Sequence, residues 1–517
     1  MALHGKGLNF PPSPLPKAWA GMPISLLLAS VLAVLSCSGP SSDGTMGPPA
    51  RTIILISIDT LRADHLGVYG HSRFTSPVLD SFALEGAVFE DASSTTAWTL
   101  PSHASMLTGL FPLSHRVMSA DTALPEEVGT VAGWMSEGGW ETAAVVNAIW
   151  LKRDRFKLTR DFEKYLSIED RDYQRRDPSI WVTDQVIEWI EEQRDRPLFI
   201  FAHYYDVHAD YASLPRFERL LVSPYEGLAD GSAWQIERAN FADAHIELCL
   251  RDFDPAQCQF GSAKKPRRID AEMERLEFDA ADIRHIEELY DAGIRQLDAE
   301  LGRLFAFLEE KGLAENSLVI ITSDHGEEFM EHGRLSHFLT TYQQSLRIPL
   351  LMRGPGIPTG VRVDAPVSLV DLAPTLLGFA GLPGRENLEG LDLAPLLQGE
   401  VDALFRQRYL YGEASGGLQY ERGMPGVYPV FRSIRQGAFK LIEERVGNEA
   451  RYSLFDIVSD PAEEVDIAAL HPDLIGRLRR RLESRPLLPD ETTEGGGARV
   501  ELSEEEIERL RALGYVP

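Results

Sequence analysis

Thr52-Ile53-Ile54-Leu55-Ile56-Ser57-Ile58 is a continuous apolar run, rich in β-branched residues, that stops at an acid, Asp59. A strand with no polar alternation is buried on both faces, which suits the middle of a parallel sheet covered by helices. Leu198 to Tyr204 and Ser317 to Thr322 repeat the design, and the second leads directly into Asp324 and His325. Ligands of open α/β sheets gather at the carboxyl ends of the strands. The ends of these runs therefore point to one shared site.

Helical patterns lie between the strands. Pro178 to Gln193 sets Trp181, Val182, Val186, Trp189 and Ile190 on one face, and Ala281 to Lys311 does the same with Ile286, Leu289, Tyr290, Ile294, Leu297, Leu301, Leu304 and Leu308. Alternating strands and helices predict an α/β three-layer sandwich with a mostly parallel central sheet. Residues 212–279 interrupt it with mixed charge, proline and two cysteines, and read as an insertion beside the site. From about Phe405 the character changes. Ser433 to Arg435, Lys440 to Ile442 and Tyr452 to Asp456 read as short antiparallel strands, followed by a basic helix from Pro472 to Leu482. They predict a small C-terminal α+β subdomain over 405–485. In the remaining tail, 486–517, a break at Gly495 to Gly497 precedes an amphipathic helix from Ser503 to Leu513, with Ser503 as N-cap and Glu506 completing a capping box.

With 517 residues, 44% hydrophobic and 25% charged, the chain has material for one large domain and a smaller one. A formal net charge of −28 argues against nucleic acid as a partner, since phosphate contacts need clustered Lys and Arg. It leaves an anionic ester substrate open, because charges beyond about 8 Å are screened at physiological salt whereas a cation acts at contact.

The apolar segment from Pro23 to Ser36 follows Lys6 and Lys17 and is too short to span a bilayer comfortably, so residues 1–37 read as a signal peptide. Val34-Leu35-Ser36-Cys37 resembles a bacterial lipobox, which implies lipid on Cys37, membrane attachment and a periplasmic or cell-envelope location. The Gly/Ser/Pro-rich residues 38–50 then form a flexible tether. Cys249 and Cys258 remain, and a disulfide or two free thiols are both open.

Thr99-Leu100-Pro101-Ser102-His103-Ala104-Ser105-Met106-Leu107-Thr108-Gly109 resembles the nucleophile signature of the sulfatase family, C/S-x-P-S-R-x-x-L-x-T-G. The resemblance implies that 51–404 is a catalytic domain of the alkaline phosphatase and sulfatase type, working by metal-assisted attack on a tetrahedral oxyanion ester. Thr99 stands where the family oxidises Cys or Ser to formylglycine, so no formylglycine is expected. His103 replaces the habitual Arg. Ser57 to Asp64 is similar to the family's strand-end motif, with Thr60 in place of its second Asp, and Ser323-Asp324-His325-Gly326-Glu327 matches its second metal motif. These matches imply Asp59, Asp324 and His325 as ligands of a divalent cation, with the Thr99 oxygen a fourth. Zn, Mn and Ca are the candidates. Loss of one carboxylate and the nitrogen of His325 shift preference from Ca towards Zn or Mn.

Thr99 also precedes Pro101, and proline favours the first helical position, which puts the hydroxyl at a helix N-terminus. The helix dipole there stabilises an alkoxide by about 0.3–1 kcal/mol, whereas a unit charge at 4 Å contributes about 4 kcal/mol at an effective dielectric of 20. The competing reading is a simple N-cap. Three histidines take catalytic roles by the resemblance. His103 would hold the nucleophile or the ester oxygens. His208, in Tyr205-Asp206-Val207-His208, resembles the family's D-P-H motif, and His337 lies where sulfatases often have a Lys. Either imidazole can donate a proton near neutral pH. Asp206, His208 and His337 are the alternative components of a second metal site.

The expected activity is hydrolysis of sulfate or phosphate-type esters: Thr99 attacks sulfur or phosphorus, His208 or His337 protonates the leaving oxygen, and water resolves the adduct. The alternatives are a phosphoryl transferase with an alcohol acceptor and a catalytically silent metal-binding lipoprotein.

Overall fold

In a computed structural model, the chain is described over residues 50–119, 122–168, 178–193, 195–240, 276–337, 339–400, 403–414, 430–446 and 449–485, with two-residue strands at 259–260, 267–268 and 498–499. The segment read as a signal peptide, Cys37, most of the segment read as a tether, Cys249, Cys258 and the expected terminal helix lie outside the described residues.

The central sheet has eight strands. In chain order they are β1 (Thr52–Ile58), β2 (Ala87–Phe89), β3 (Glu141–Val146), β4 (Lys164–Ser167), β5 (Leu198–Tyr204), β6 (Ser317–Ser323), β7 (Leu350–Arg353) and β8 (Val361–Val363). Their spatial order is β8-β2-β7-β6-β1-β5-β3-β4. Neighbours pair in parallel from β6 through β4 and between β2 and β8. Only β7 runs against the rest, antiparallel to both β6 and β2.

Side chains of successive strand residues point to opposite faces, and each face of β1 meets its own helical layer. Ile53 and Leu55 enter one core with Leu100, Ala104 and Leu107 of α2 (Thr99–Thr108) and Leu372 and Leu376 of α5 (Leu372–Phe379). Ile54, Ile56 and Ile58 enter the other with α1 (Pro77–Leu84), α3 (Pro178–Glu192) and α4 (Ala280–Glu310). This is the expected three-layer sandwich. Helix α4 starts at a capping box in which Asp279 accepts from the Asp282 backbone and the Asp282 side chain accepts in return. Its residues Tyr290 and Asp291 recur below. Among the described residues no helix is long and apolar enough to cross a membrane.

The C-terminal part forms a four-stranded antiparallel sheet from β9 (Leu410–Ala414), β10 (Val430–Gln436), β11 (Phe439–Val446) and β12 (Glu449–Asp456), packed on α6 (Pro472–Glu483). It grips the larger domain close to the site. The Glu413 N–H donates to Thr95 O at 3.0 Å, shortly before α2. Buried Lys440 pairs with Glu463 at 2.8 Å, and Glu463 accepts from the Gln343 backbone at 2.6 Å.

Candidate active site

The site is assembled where β1, β5 and β6 end. Asp59 follows β1, and its backbone N–H donates to Tyr204 O of β5 at 2.9 Å. Thr60 then turns the chain with φ 58°, rare for a β-branched residue. The turn is held from three sides: Asp324 Oδ1 accepts from the Thr60 N–H at 3.2 Å, Ser323 Oγ accepts from the Leu61 N–H at 2.9 Å, and the Tyr290 hydroxyl bridges Thr60 O and the Arg62 N–H, each at 2.8 Å. Strain at one turn is thus balanced by hydrogen bonds from β6 and α4.

Asp59, Asp324, His325 and Thr99 are all fully buried. Asp324 Oδ1 also accepts from the His325 N–H at 2.9 Å. His325 Nδ1 lies 2.9 Å from Gly326 O and so carries the proton, which leaves the Nε2 lone pair facing the site. Nε2 is 3.4 Å from Asp324 Oδ2, 3.9 Å from Asp59 Oδ1 and 3.5 Å from Thr99 Oγ1. Both Asp59 oxygens and Asp324 Oδ2 lack a hydrogen-bond partner among the described residues. Burial pushes both carboxyls above their usual range, and Asp59 pushes Asp324 further. Buried anionic oxygens without donors are costly unless a cation meets them. Asp59, Asp324 and His325 offer ligand atoms within 4.8 Å of one another, so the donor set fits a divalent cation.

Thr99 is the first residue of α2, after the extended N-cap residue Trp98. It is therefore not the cap. Pro101 falls at the third helical position, where its missing N–H breaks no helical hydrogen bond. His103 is placed differently from expectation. Its Nδ1 donates to Thr99 O at 2.8 Å, four residues back along the helix, and its Nε2 accepts from Ser57 Oγ at 2.9 Å. Both nitrogens are thus engaged away from the hydroxyl, and burial holds the ring neutral, down to about 4.

His208 and His337 do converge on His325, with ring centroids 4.9 Å apart for His208–His337 and 4.5 Å for His325–His337. His208 donates from Nδ1 to Ala209 O at 2.6 Å and stacks on Tyr205. His337 Nδ1 is 3.0 Å from Glu327 Oε1, while the Tyr211 hydroxyl donates to Glu327 Oε2 at 2.9 Å. Burial raises Glu327 to about 8 and lowers His208 to about 3. Asp206 does not join them. Its Oδ1 accepts from the Ser179 N–H and from Gln296 Nε2, both at 3.3 Å, which ties it to α3 and α4. The alternative second metal site on Asp206, His208 and His337 is therefore not assembled among the described residues.

Two further side chains border the candidate site that the sequence reading gave no role, Glu327 and His203. The second lies on β5 opposite Ser57 of β1, a histidine inside an otherwise apolar strand, and that interruption was its signal.

The chain matches the family model described as Sulfatase over residues 51–382, and one described as N-sulphoglucosamine sulphohydrolase, C-terminal, over 331–485. It is 26% identical to arylsulfatase K of Gallus gallus over 490 residues, covering 90% of this chain and 88% of that protein. Among solved structures, one bound to its substrate D-glucosamine-2-N,6-O-disulfate aligns with a TM-score of 0.65 at 22% identity, covering 84% of this chain and 97% of the other. The phosphonate monoester hydrolase of Agrobacterium radiobacter aligns with a TM-score of 0.62 at 22% identity, covering 88% of this chain and 100% of the other.

Proposed function

The chain belongs to the sulfatase family of hydrolases, and on that premise we propose that it cleaves sulfate or phosphate-type esters with unmodified Thr99 as nucleophile and a divalent cation as cofactor. The observation that carries this reading is the approach of Thr99 Oγ1 to His325 Nε2 beside three unpartnered carboxylate oxygens in a fully buried site. Asp59, Asp324 and His325, with Thr99, would hold the cation, which when bound supplies Lewis-acid stabilisation of oxyanion charge. The chain's own groups do the rest. His103 and Ser57 fix the first turn of α2 and so aim the Thr99 hydroxyl; His103 is a positioning residue.

Thr99, its hydroxyl proton already lost to solvent, attacks as the alkoxide and displaces the ester oxygen from sulfur or phosphorus, and a histidine protonates that departing oxygen. Glu327 and His337 suit that task. With the shared proton on Glu327 donating to Nδ1, the ring N–H is Nε2, and Glu327 keeps it there while accepting from Tyr211. Water then displaces the Thr99 oxygen from the central atom as the same alkoxide, and the pair takes up one proton of that water, which restores it for the next turnover.

A formylglycine adduct can expel sulfate by collapse of a hemiacetal, whereas a threonine adduct is released only by attack on the central atom. Phosphoryl and phosphonyl esters therefore stand ahead of sulfate esters as substrates. With this reading goes export as a lipoprotein acylated on Cys37, checked by the mass of the mature N-terminus.

The test is Thr99 itself. Thr99→Ala should lose several orders of magnitude in turnover on the best substrate of a panel of aryl sulfate, phosphate monoester, diester and phosphonate. Thr99→Ser should keep part of it, since only a methyl group is lost. The peptide carrying Thr99 should have unmodified mass at rest and gain a phosphoryl mass when a slow phosphoester is quenched in turnover. Wild-type turnover by Thr99→Ala refutes the mechanism.

A further inference from the structure

His203 is fully buried on β5, and among the described residues neither of its ring nitrogens has a hydrogen-bond partner. An imidazole stripped of water and left without partners loses the hydrogen bonds it would make in solvent, a cost that folding does not return. A sheet centre that needed only a side chain of that volume would be filled without the penalty by an apolar residue such as Phe201, its neighbour two residues back on the strand. The ring is aimed at the candidate site. Its Nε2 is 3.3 Å from Asp59 Oδ2, one of the unpartnered oxygens. Ligand atoms of His203, His103 and Asp324 also lie within 4.8 Å of one another. His103 is already committed to Thr99 O and Ser57, so His203 is the imidazole on that side with a lone pair to give.

The two carboxylates are thus flanked by two imidazoles. His325 stands near Asp59 Oδ1 and His203 near Asp59 Oδ2. We propose that His203 is a further ligand of the cation, a second nitrogen donor beside Asp59 on the side away from His325. This rests on the metal reading above and deepens it: a set with two imidazoles and two carboxylates selects Zn²⁺ or another first-row transition ion over Ca²⁺ and Mg²⁺, which take all-oxygen sets.

X-ray absorption at the zinc edge of the loaded, full-length protein counts the imidazoles directly. Two are expected in the wild type and one in His203→Ala and His203→Asn, the second variant keeping polar bulk in the strand. Zinc affinity should fall at least tenfold in both variants while calcium affinity stays within about threefold. A group that merely hydrogen-bonds Asp59 would weaken both ions alike, so parallel losses overturn the proposal. So does a single imidazole in the wild type, a measurement that needs no variant to fold. A wild type that takes up no cation would refute the metal reading as a whole, which separates that failure from this one.

Discussion

Asp324 and Asp291 are both buried among histidines, and each belongs to a group of three ligand-type side chains within 4.8 Å, yet they are built to opposite ends. Asp291 has every demand met. His65 Nδ1 lies 2.7 Å from Oδ1, and Oδ2 receives Arg73 Nη1 at 2.6 Å and His71 Nε2 at 3.3 Å. Burial alone would raise its carboxyl, but the bonds from His65 and His71 pull it well below the ordinary range. At Asp324 no ion pair with an Arg or Lys forms among the described residues, one oxygen is left without a donor there, and burial with neighbouring Asp59 drives the carboxyl upward. Ligand-type residues in proximity therefore do not define a metal site. What sets Asp324 apart is that proximity to Asp59 and His325 is combined with unpartnered carboxylate oxygens.

The largest effect should come from Asp324→Ala. Turnover should fall by three orders of magnitude or more, while the metal-free protein loses only about 1–2 kcal/mol of stability, because removing the unpartnered Oδ2 offsets part of what the Oδ1 bonds to Thr60 and His325 contribute. Kinetics on the best substrate and urea unfolding in chelator check both halves. Asp291→Ala should do the reverse, costing about 2–4 kcal/mol of stability by stranding Arg73 and two histidines, with turnover per folded molecule kept within a few-fold.

The same contrast should appear with pH. A carboxyl whose folded pKa is depressed contributes stability that is complete above its unfolded value, about 3.9, and is lost as pH falls through the folded value. The stability gap between wild type and Asp291→Asn, measured by urea unfolding, should thus be full at pH 7 and shrink below about pH 4. The smallest effect tests the bridge between the two regions. Tyr290 adjoins Asp291 on α4 but serves the Thr60 turn, so Tyr290→Phe should cost about 1–2 kcal/mol and weaken metal binding a few-fold without altering the acid limb.

Much of this was legible in the sequence because it depends on local pattern. Apolar runs ending in an acid gave β1 and β6 with Asp59, Asp324 and His325 at their ends, and the 3.6-residue period gave α3 and α4 to within a residue or two. What escaped depends on register and reversal. His203 reaches Asp59 only because β5 pairs with β1 at Ser57. Glu327 meets His337 because a small hairpin, Glu328–Phe329 with Leu335–Ser336, folds the chain back. The contact His103 makes has a local reason: on a helix its ring falls on the carbonyl of Thr99, four residues earlier, before it can reach the hydroxyl. The reversed direction of β7 carries no signature in its own residues.

Cation content tests the central claim most directly. Each protein is stripped with chelator, reloaded with Zn²⁺ or Mn²⁺, desalted and measured by elemental analysis. Wild type and Asp291→Asn should each retain a bound equivalent, and Asp324→Ala should retain none while still folded by circular dichroism. A folded Asp324→Ala that holds as much metal as the wild type would contradict the assignment of the buried oxygens at the ends of β1 and β6 as the metal site.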